Sequence, residues 1–356
     1  MLKHRKNPHQ RLFAEIARSS RGAKRHLHQA VIFLGLTLSL SSAAVDPPDS
    51  EGRKLISGIV LHHGVGGAKL EISGKADMET SRAITADTPF LIGSASKTFA
   101  AVAILTLVDQ KLVTLTDPVR KYFPESPAAW LADPKGVPTI HHLLSHTSGI
   151  PEAYNEAIVE EKLFRDKLTF EQLFAAISHR SLIFSPGKKF AYSNTGYIIL
   201  GEIIRRVSQQ SYGEYLQQSM FAPLGMQQTT VGSPLANLAA LSYVLIHGKS
   251  KEYQRYFEIN EKHVDDTFVD GNIYSSANDL LLWMRALFSG KILSSASLQA
   301  MLTNHSSGYG YGINIKKELP GTTIYDHEGE WIGYHALIRF IPKTTETYIL
   351  LENLIP

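Results

Sequence analysis

The hydrophobic pattern changes character twice along the chain. "LISGIVLHHG" (55–64) and "AKLEISGKA" (68–76) read as two strands, and Gly64, Gly66 and Gly67 between them signal a hairpin. "FLIGSASKTFAAVAILTLVDQ" (90–110) is different, because from about Ser94 it is apolar on nearly every side: Phe99, Val102, Ile104, Leu105, Leu107, Val108. A helix of that kind is central and buried. From Leu112 to about Asp270, helical segments such as "TFEQLFAAISHR" and "NTGYIILGEIIRRVSQQ" alternate with the turns "YFPESP", "FSPGKK" and "APLGM". "SSANDLLLWMRALFSG" is an amphipathic helix with Ser276 or Asn278 as its cap. "YGYGINI", "TTIYDHEG", "HALIRFI" and "TYILLEN" then return to strands. The pattern predicts an α/β (α+β) fold, an antiparallel sheet built from both chain ends and flanked by helices, with an inserted mainly helical region. The α/β part covers about 55–111 and 271–356, and the helical part about 112–270.

Length suggests one large or two interlocked domains, and composition separates this part, 55–356, from its leader. Of 356 residues, 44% are hydrophobic and 19% charged, enough to bury a sizeable core. The net charge of +3 comes from residues 1–29, which hold eight Lys/Arg (Lys3, Arg5, Lys6, Arg11, Arg18, Arg21, Lys24, Arg25) against Glu15. The remainder has 28 basic and 32 acidic residues, which gives no reason to expect a nucleic-acid partner. No charge occurs between Ala30 and Val45. That run is shorter than the roughly 20 residues of a membrane-spanning helix and ends in Ser42-Ala43-Ala44. Residues 1–44 therefore read as an export signal cut near Ala44, with 45–54 as a proline-bearing linker. Left uncut, residues 30–44 would be a membrane anchor. The chain has no cysteine, which excludes disulfides, a thiolate metal site and a Cys nucleophile.

The chemistry begins at the start of the apolar helix. Ser94 and Lys97 stand three apart, so their side chains emerge on one face. A helix N-terminus favours developing negative charge, and a desolvated lysine can serve as a base. Alone, S-x-x-K is more often a serine cap beside a snorkelling lysine, and the second copy, Ser185 to Lys188, is broken by Pro186-Gly187. Tyr192-Ser193-Asn194 is a Y-x-N on a loop before a helix, where tyrosine can shuttle protons and an amide can orient a lysine or a carbonyl. The plainer reading is a loop tyrosine with a helix cap. On a late strand His327-x-Gly329 allows close backbone approach, and the N–H of Glu330 is a candidate oxyanion donor. His62-x-Gly64 also matches H-x-G, so that motif carries little by itself.

Taken together and in this order, S-x-x-K, Y-x-N and H-x-G resemble the serine β-lactamase-like family, which includes class C β-lactamases, D-alanyl-D-alanine carboxypeptidases (penicillin-binding proteins) and related esterases. "KLVTLTDPVRKYFPE", "IHHLLSHTSGIP", "FSPGKKFAYSNTGYIILGEII", "PLGMQQT" and "GNIYSSANDLLLWMRAL" are similar as well, and the likeness runs from about Leu55 to Asn353. The resemblance implies Ser94 as acylated nucleophile, Lys97 as its base partner and Tyr192 as general base and acid. It implies that Asn194 orients Lys97 and substrate, that the N–H groups of Ser94 and Glu330 form an oxyanion hole, and that His327 and Gly329 help bind substrate. It implies no cofactor and no metal, an exported location in a bacterium (periplasmic or extracellular), and a small-molecule or peptidoglycan-like substrate.

The departures narrow the expectation. His327 stands where penicillin-recognising relatives often carry a carboxylate-binding lysine, which points to a carboxypeptidase-like or esterase-like hydrolase with weak or no β-lactamase activity. Gly271-Asn272 replaces Gly-Gly, and Gln210 replaces a helix-ending glycine. Pro356 follows the last strand where relatives continue into a helix, so either Ala30–Ala44 or another segment covers that face or the domain is incomplete. A non-catalytic peptidoglycan- or partner-binding module is the alternative. His141, His142 and His146 resemble a structural helix end more than a metal cluster. Position 331 is Trp, so H-E-x-x-H is absent, and so is G-x-S-x-G. "HGKSKEYQRYFEINEKHVDD" (247–266) reads as a solvated surface excursion.

Overall fold

The computed structural model describes residues 55–156, 168–233, 238–245, 253–255, 268–318, 321–331 and 333–355. The expected export signal and linker lie outside the described residues, as does the segment expected to cover the sheet. Among the described residues no helix is long and apolar enough to cross a membrane.

Strands β1 (Gly58–Gly64) and β2 (Gly67–Ser73) open the fold, followed by helix α1 (Ser96–Asp109). Helices α2 (Ile140–Leu144) and α3 (Asn194–Ser208) belong to the helical region. The chain returns through β3 (Ile273–Ser275) and α4 (Ala277–Phe288) to β4 (Asn314–Glu318), β5 (Thr322–Trp331), β6 (Tyr334–Ile341) and β7 (Glu346–Glu352). One antiparallel sheet has the order β4-β5-β6-β7-β1-β2, with Gly58 opposite Glu352, so the two chain ends meet inside it. Gly67, at φ +90°, closes the β1–β2 turn in a conformation that costs a residue with a Cβ.

The inner sheet face is built by alternation. Ile59, Leu61, Ala336, Ile338, Ile349 and Leu351 are buried, and α4 packs across β7 and β1. Ser276, whose side chain accepts the Asp279 N–H, caps α4. Beyond it lies α1, buried continuously from Ser96 to Leu105, with Phe99 stacked on Trp283 at 4.0 Å. At roughly 1.5–3 kcal/mol for each large apolar side chain, this helix is a main source of stability. It also carries a charge, Lys97, with no exposed surface.

Three details differ from the sequence pattern. Within "YGYGINI" the strand begins only at Asn314. Residues 309–313 instead cross the start of α1, where a Cβ on Gly312 would lie 2.6 Å from the Lys97 carbonyl oxygen and Gly312 has φ +67°. Helix α3 ends at Gln209 in the left-handed conformation (φ +59°), one residue before Gln210. Of 247–266, only Tyr253–Arg255 is described, and it is a strand paired with Tyr243–Leu245, which in turn pairs in parallel with Leu354–Ile355.

Candidate active site

The site forms where the turn into α1 meets β5. After Ile92, a short 3-10 turn (Gly93–Ala95, Gly93 at φ +50°) precedes α1, so Ser94 sits on the turn and Lys97 on the first turn of the helix. Lys97 Nζ donates to Ser94 Oγ at 3.1 Å and to the Asp270 carbonyl oxygen at 2.8 Å. The Asp270 carboxylate lies 4.0 Å from the same nitrogen, and the rings of Tyr192 and Tyr197 lie 5.0 and 5.7 Å from it. These contacts are acceptors, an anion and two π-faces, which suit a cation.

β5 runs past the Ser94 turn at a distance only glycine permits. A Cβ on Gly329 would lie 1.9 Å from the Ile92 carbonyl oxygen and 2.7 Å from the Ser94 nitrogen. A Cβ on Gly93 would lie 2.9 Å from the Glu330 nitrogen. The two N–H groups expected to bind an oxyanion thus belong to backbone segments in direct contact. The Glu330 side chain itself is exposed.

Tyr192 is held by its neighbours. Ala191 N–H donates to the His146 carbonyl oxygen at 2.9 Å, and Ser193 N–H donates to His146 Nδ1 at 3.0 Å. The Ser193 hydroxyl accepts the Gly196 N–H and caps α3. Asn194 begins α3, and its N–H donates to Glu152 Oε2 at 2.8 Å, while Thr195 Oγ1 donates to Glu152 Oε1 at 2.6 Å. No hydrogen bond links the Asn194 side chain to Lys97 among the described residues; Asp270 takes that place.

His327 is turned inward. Its Nδ1 lies 2.6 Å from the Glu328 carbonyl oxygen, which makes Nδ1 the donor, and Nε2 is 2.9 Å from the Tyr309 hydroxyl. Burial first, then the Lys97 charge, push its pKa down to about 4. A neutral ring with both nitrogens engaged offers a substrate carboxylate neither charge nor a free donor.

The three histidines of "HHLLSHTSG" serve separate purposes. His141 Nδ1 is 2.7 Å from the Tyr311 hydroxyl, His142 Nδ1 accepts the Thr139 N–H in a capping box, and His146 holds the Tyr192 loop. No group able to hold a metal ion occurs among the described residues.

Sequence reasoning missed Asp270, Tyr154 and Glu152. Tyr154 Oη donates toward Asp270 Oδ1 at 3.3 Å, and Glu152 anchors the start of α3. The signal for Asp270 was a lone acid in "FVDGN", at the edge of a segment otherwise buried.

Comparison with known proteins identifies the family. A model of the Beta-lactamase family matches residues 49–354. The chain belongs to that family. Penicillin-binding protein 4* of Bacillus subtilis (strain 168) is 30% identical over 311 residues, covering 79% of this chain and 64% of its own length. The chain therefore spans less than two thirds of that relative. A penicillin-binding protein from Bacillus halodurans superposes with a TM-score of 0.73 at 26% identity, covering 85% of this chain and 92% of its own. D-amino acid amidase from Ochrobactrum anthropi SV3 shares the fold, with a TM-score of 0.71 at 24% identity, covering 86% of this chain and 89% of its own. Membership of the β-lactamase family, with penicillin-binding relatives, is consistent with a serine hydrolase.

Proposed function

We propose that the protein is an exported serine hydrolase that forms an acyl-enzyme at Ser94 on an ester or amide. The observation that carries the reading is the 3.1 Å contact between Lys97 Nζ and Ser94 Oγ, inside a turn packed directly against β5. In this mechanism Ser94 Oγ attacks the substrate carbonyl carbon, and its proton passes to the Tyr192–Lys97 pair. The tetrahedral oxyanion rests on the Ser94 and Glu330 N–H groups, where one such donor is worth about 10²–10³ in rate. The C–O or C–N bond then breaks, the leaving group takes the proton, and water cleaves the acyl-enzyme by the same route reversed.

Within that class, the engagement of both His327 nitrogens favours substrates without a free carboxylate at the leaving side: an esterase or amidase over a carboxypeptidase. Export rests on the basic leader and the uncharged run 30–44.

The deciding experiment is intact mass after incubation with a fluorophosphonate, for wild type and Ser94→Ala in parallel. One adduct on wild type and none on the variant supports an activated serine at 94. A folded wild type that takes no adduct overturns the reading and promotes the non-catalytic binding module.

A further inference from the structure

Lys97 is fully buried and Asp270 is 5% exposed, so their pairing is an ionic contact inside the protein. Such a pair persists only where both partners are well satisfied, because each charge loses its water. Here the ammonium has the Ser94 hydroxyl, the Asp270 carbonyl oxygen at 2.8 Å and the Asp270 carboxylate at 4.0 Å. The carboxylate has the ammonium on one side and the Tyr154 hydroxyl on the other, 3.3 Å from Oδ1 and 3.5 Å from Oδ2. Tyr154 follows Glu152, whose carboxylate receives the Asn194 N–H, the Thr195 N–H and the Thr195 hydroxyl. One chain of contacts therefore joins Lys97 to the start of the helix that carries Asn194.

We propose that Asp270 is a positioning residue that supplies the counter-charge of Lys97, holding it as an ammonium beside Ser94. This rests on the serine-hydrolase reading above and divides its proton work. An ammonium has no lone pair to accept the Ser94 proton. The proton therefore goes from Ser94 Oγ to the Tyr192 oxygen in its phenolate form as the Oγ–C bond forms. It leaves Tyr192 for the departing group as the scissile bond breaks. Lys97 keeps its own protons throughout, donating to Ser94 Oγ and stabilising the phenolate by its charge.

The groups that face this pair all bear on its titration. Around Lys97 stand Ser94 on the entry turn, Tyr192 on the loop and Tyr197 on α3, and its charge also acts on His146 and His327. Around Asp270 stand Lys97, Tyr154 and, by charge, Glu152. Burial pushes the Asp270 carboxyl above its ordinary range, and the Lys97 charge pulls it back.

The test is the second-order rate of fluorophosphonate labelling between pH 5 and 10, read by intact mass, for wild type and Asp270→Asn. Asparagine keeps the shape and the backbone carbonyl and removes the charge, with one acceptor oxygen becoming an NH₂ group. Without its counter-charge the buried ammonium deprotonates more easily, so the alkaline fall in rate moves to lower pH by at least about one unit, a tenfold loss at pH 9 or above. If Lys97 were instead the neutral base, its deprotonation would raise the rate and no fall would appear at pH 9 or above in either protein. An alkaline limb that is absent, or that coincides with wild type in Asp270→Asn, overturns the proposal. Where Asp270→Asn does not fold, Asp270→Ser, smaller and also uncharged, decides by the same alkaline limb; an unmoved limb overturns the proposal. A wild type that takes no label is a failure of the hydrolase reading and is seen before either variant is made.

Discussion

The imidazole of His146 lies against the ring of Tyr192, centroids 4.3 Å apart, and His146 grips the residue on either side of that tyrosine. Its carbonyl oxygen accepts from Ala191 and its Nδ1 accepts from Ser193. To do both it adopts φ +56°, a conformation that costs a non-glycine residue of order 1 kcal/mol or more. Accepting at Nδ1 also requires a neutral ring, which full burial enforces by pushing its pKa well below the ordinary value.

We expect His146→Ala to lower the Ser94 acylation rate about tenfold or more, because the Tyr192 loop loses its central anchor. His146→Asn should recover most of that loss. Asparagine tolerates the left-handed region, and its Oδ1 can accept the Ser193 N–H. Equal rates for the two variants in the fluorophosphonate assay would remove His146 from this role.

Gly329 gives a sharper prediction. A Cβ there would overlap the Ile92 carbonyl oxygen at 1.9 Å, and both partners are backbone. Gly329→Ala must part β5 from the Ser94 turn, which separates the two oxyanion donors. Labelling of Ser94 should fall at least a hundredfold, and urea unfolding should show a loss of about 2 kcal/mol. Retained labelling in the alanine variant would rule out an oxyanion hole made by these two segments.

How much of this was legible in the chain follows the distance over which each feature acts. Ser94 with Lys97, and Tyr192 with Asn194, are fixed by spacing within one turn or loop, and the glycine at 329 by its strand. The apolar α1 announced itself because a helix buried on all sides needs no polar face. Asp270 reaches Lys97 across 173 residues of sequence, and nothing local marks the meeting. His146 stood in a histidine-rich run that invited a metal reading, while its actual use depends on a backbone angle that no pattern shows. For His327, nothing local showed that the ring turns inward onto the Tyr309 hydroxyl. Asp326 and His327 are neighbours on β5 and point to opposite faces of the sheet, yet both are nearly unexposed, so both faces are covered there and a polar–apolar alternation could not show it.

The depressed pKa of His327 makes stability depend on pH. A histidine at about 4 in the folded state, against an ordinary value near 6.5, binds its proton more readily when the chain unfolds. Its contribution is therefore complete above about pH 6.5 and is lost as pH falls toward 4, for a total of about 3 kcal/mol. Urea midpoints measured from pH 7.5 to 4.5 should decline across that window more steeply for wild type than for His327→Gln. Parallel curves would show that His327 is not buried neutral.

Glu152 ties stability to the site from the other end of the same network. Its carboxylate receives the Asn194 N–H at 2.8 Å, the Thr195 N–H at 3.3 Å and the Thr195 hydroxyl at 2.6 Å, all at the N-terminus of α3 where the helix dipole favours an anion. Glu152→Gln keeps the shape but places an NH₂ group among donors and removes the charge. We expect a loss of about 2 kcal/mol in urea unfolding, since a buried donor left facing donors costs that order. Asn194 is the second residue after Tyr192, so the acylation rate should fall with it, by more than the fraction unfolded explains. Wild-type stability in Glu152→Gln would mean that the start of α3 is held by its serine cap alone, and that Glu152 contributes nothing to placing Asn194.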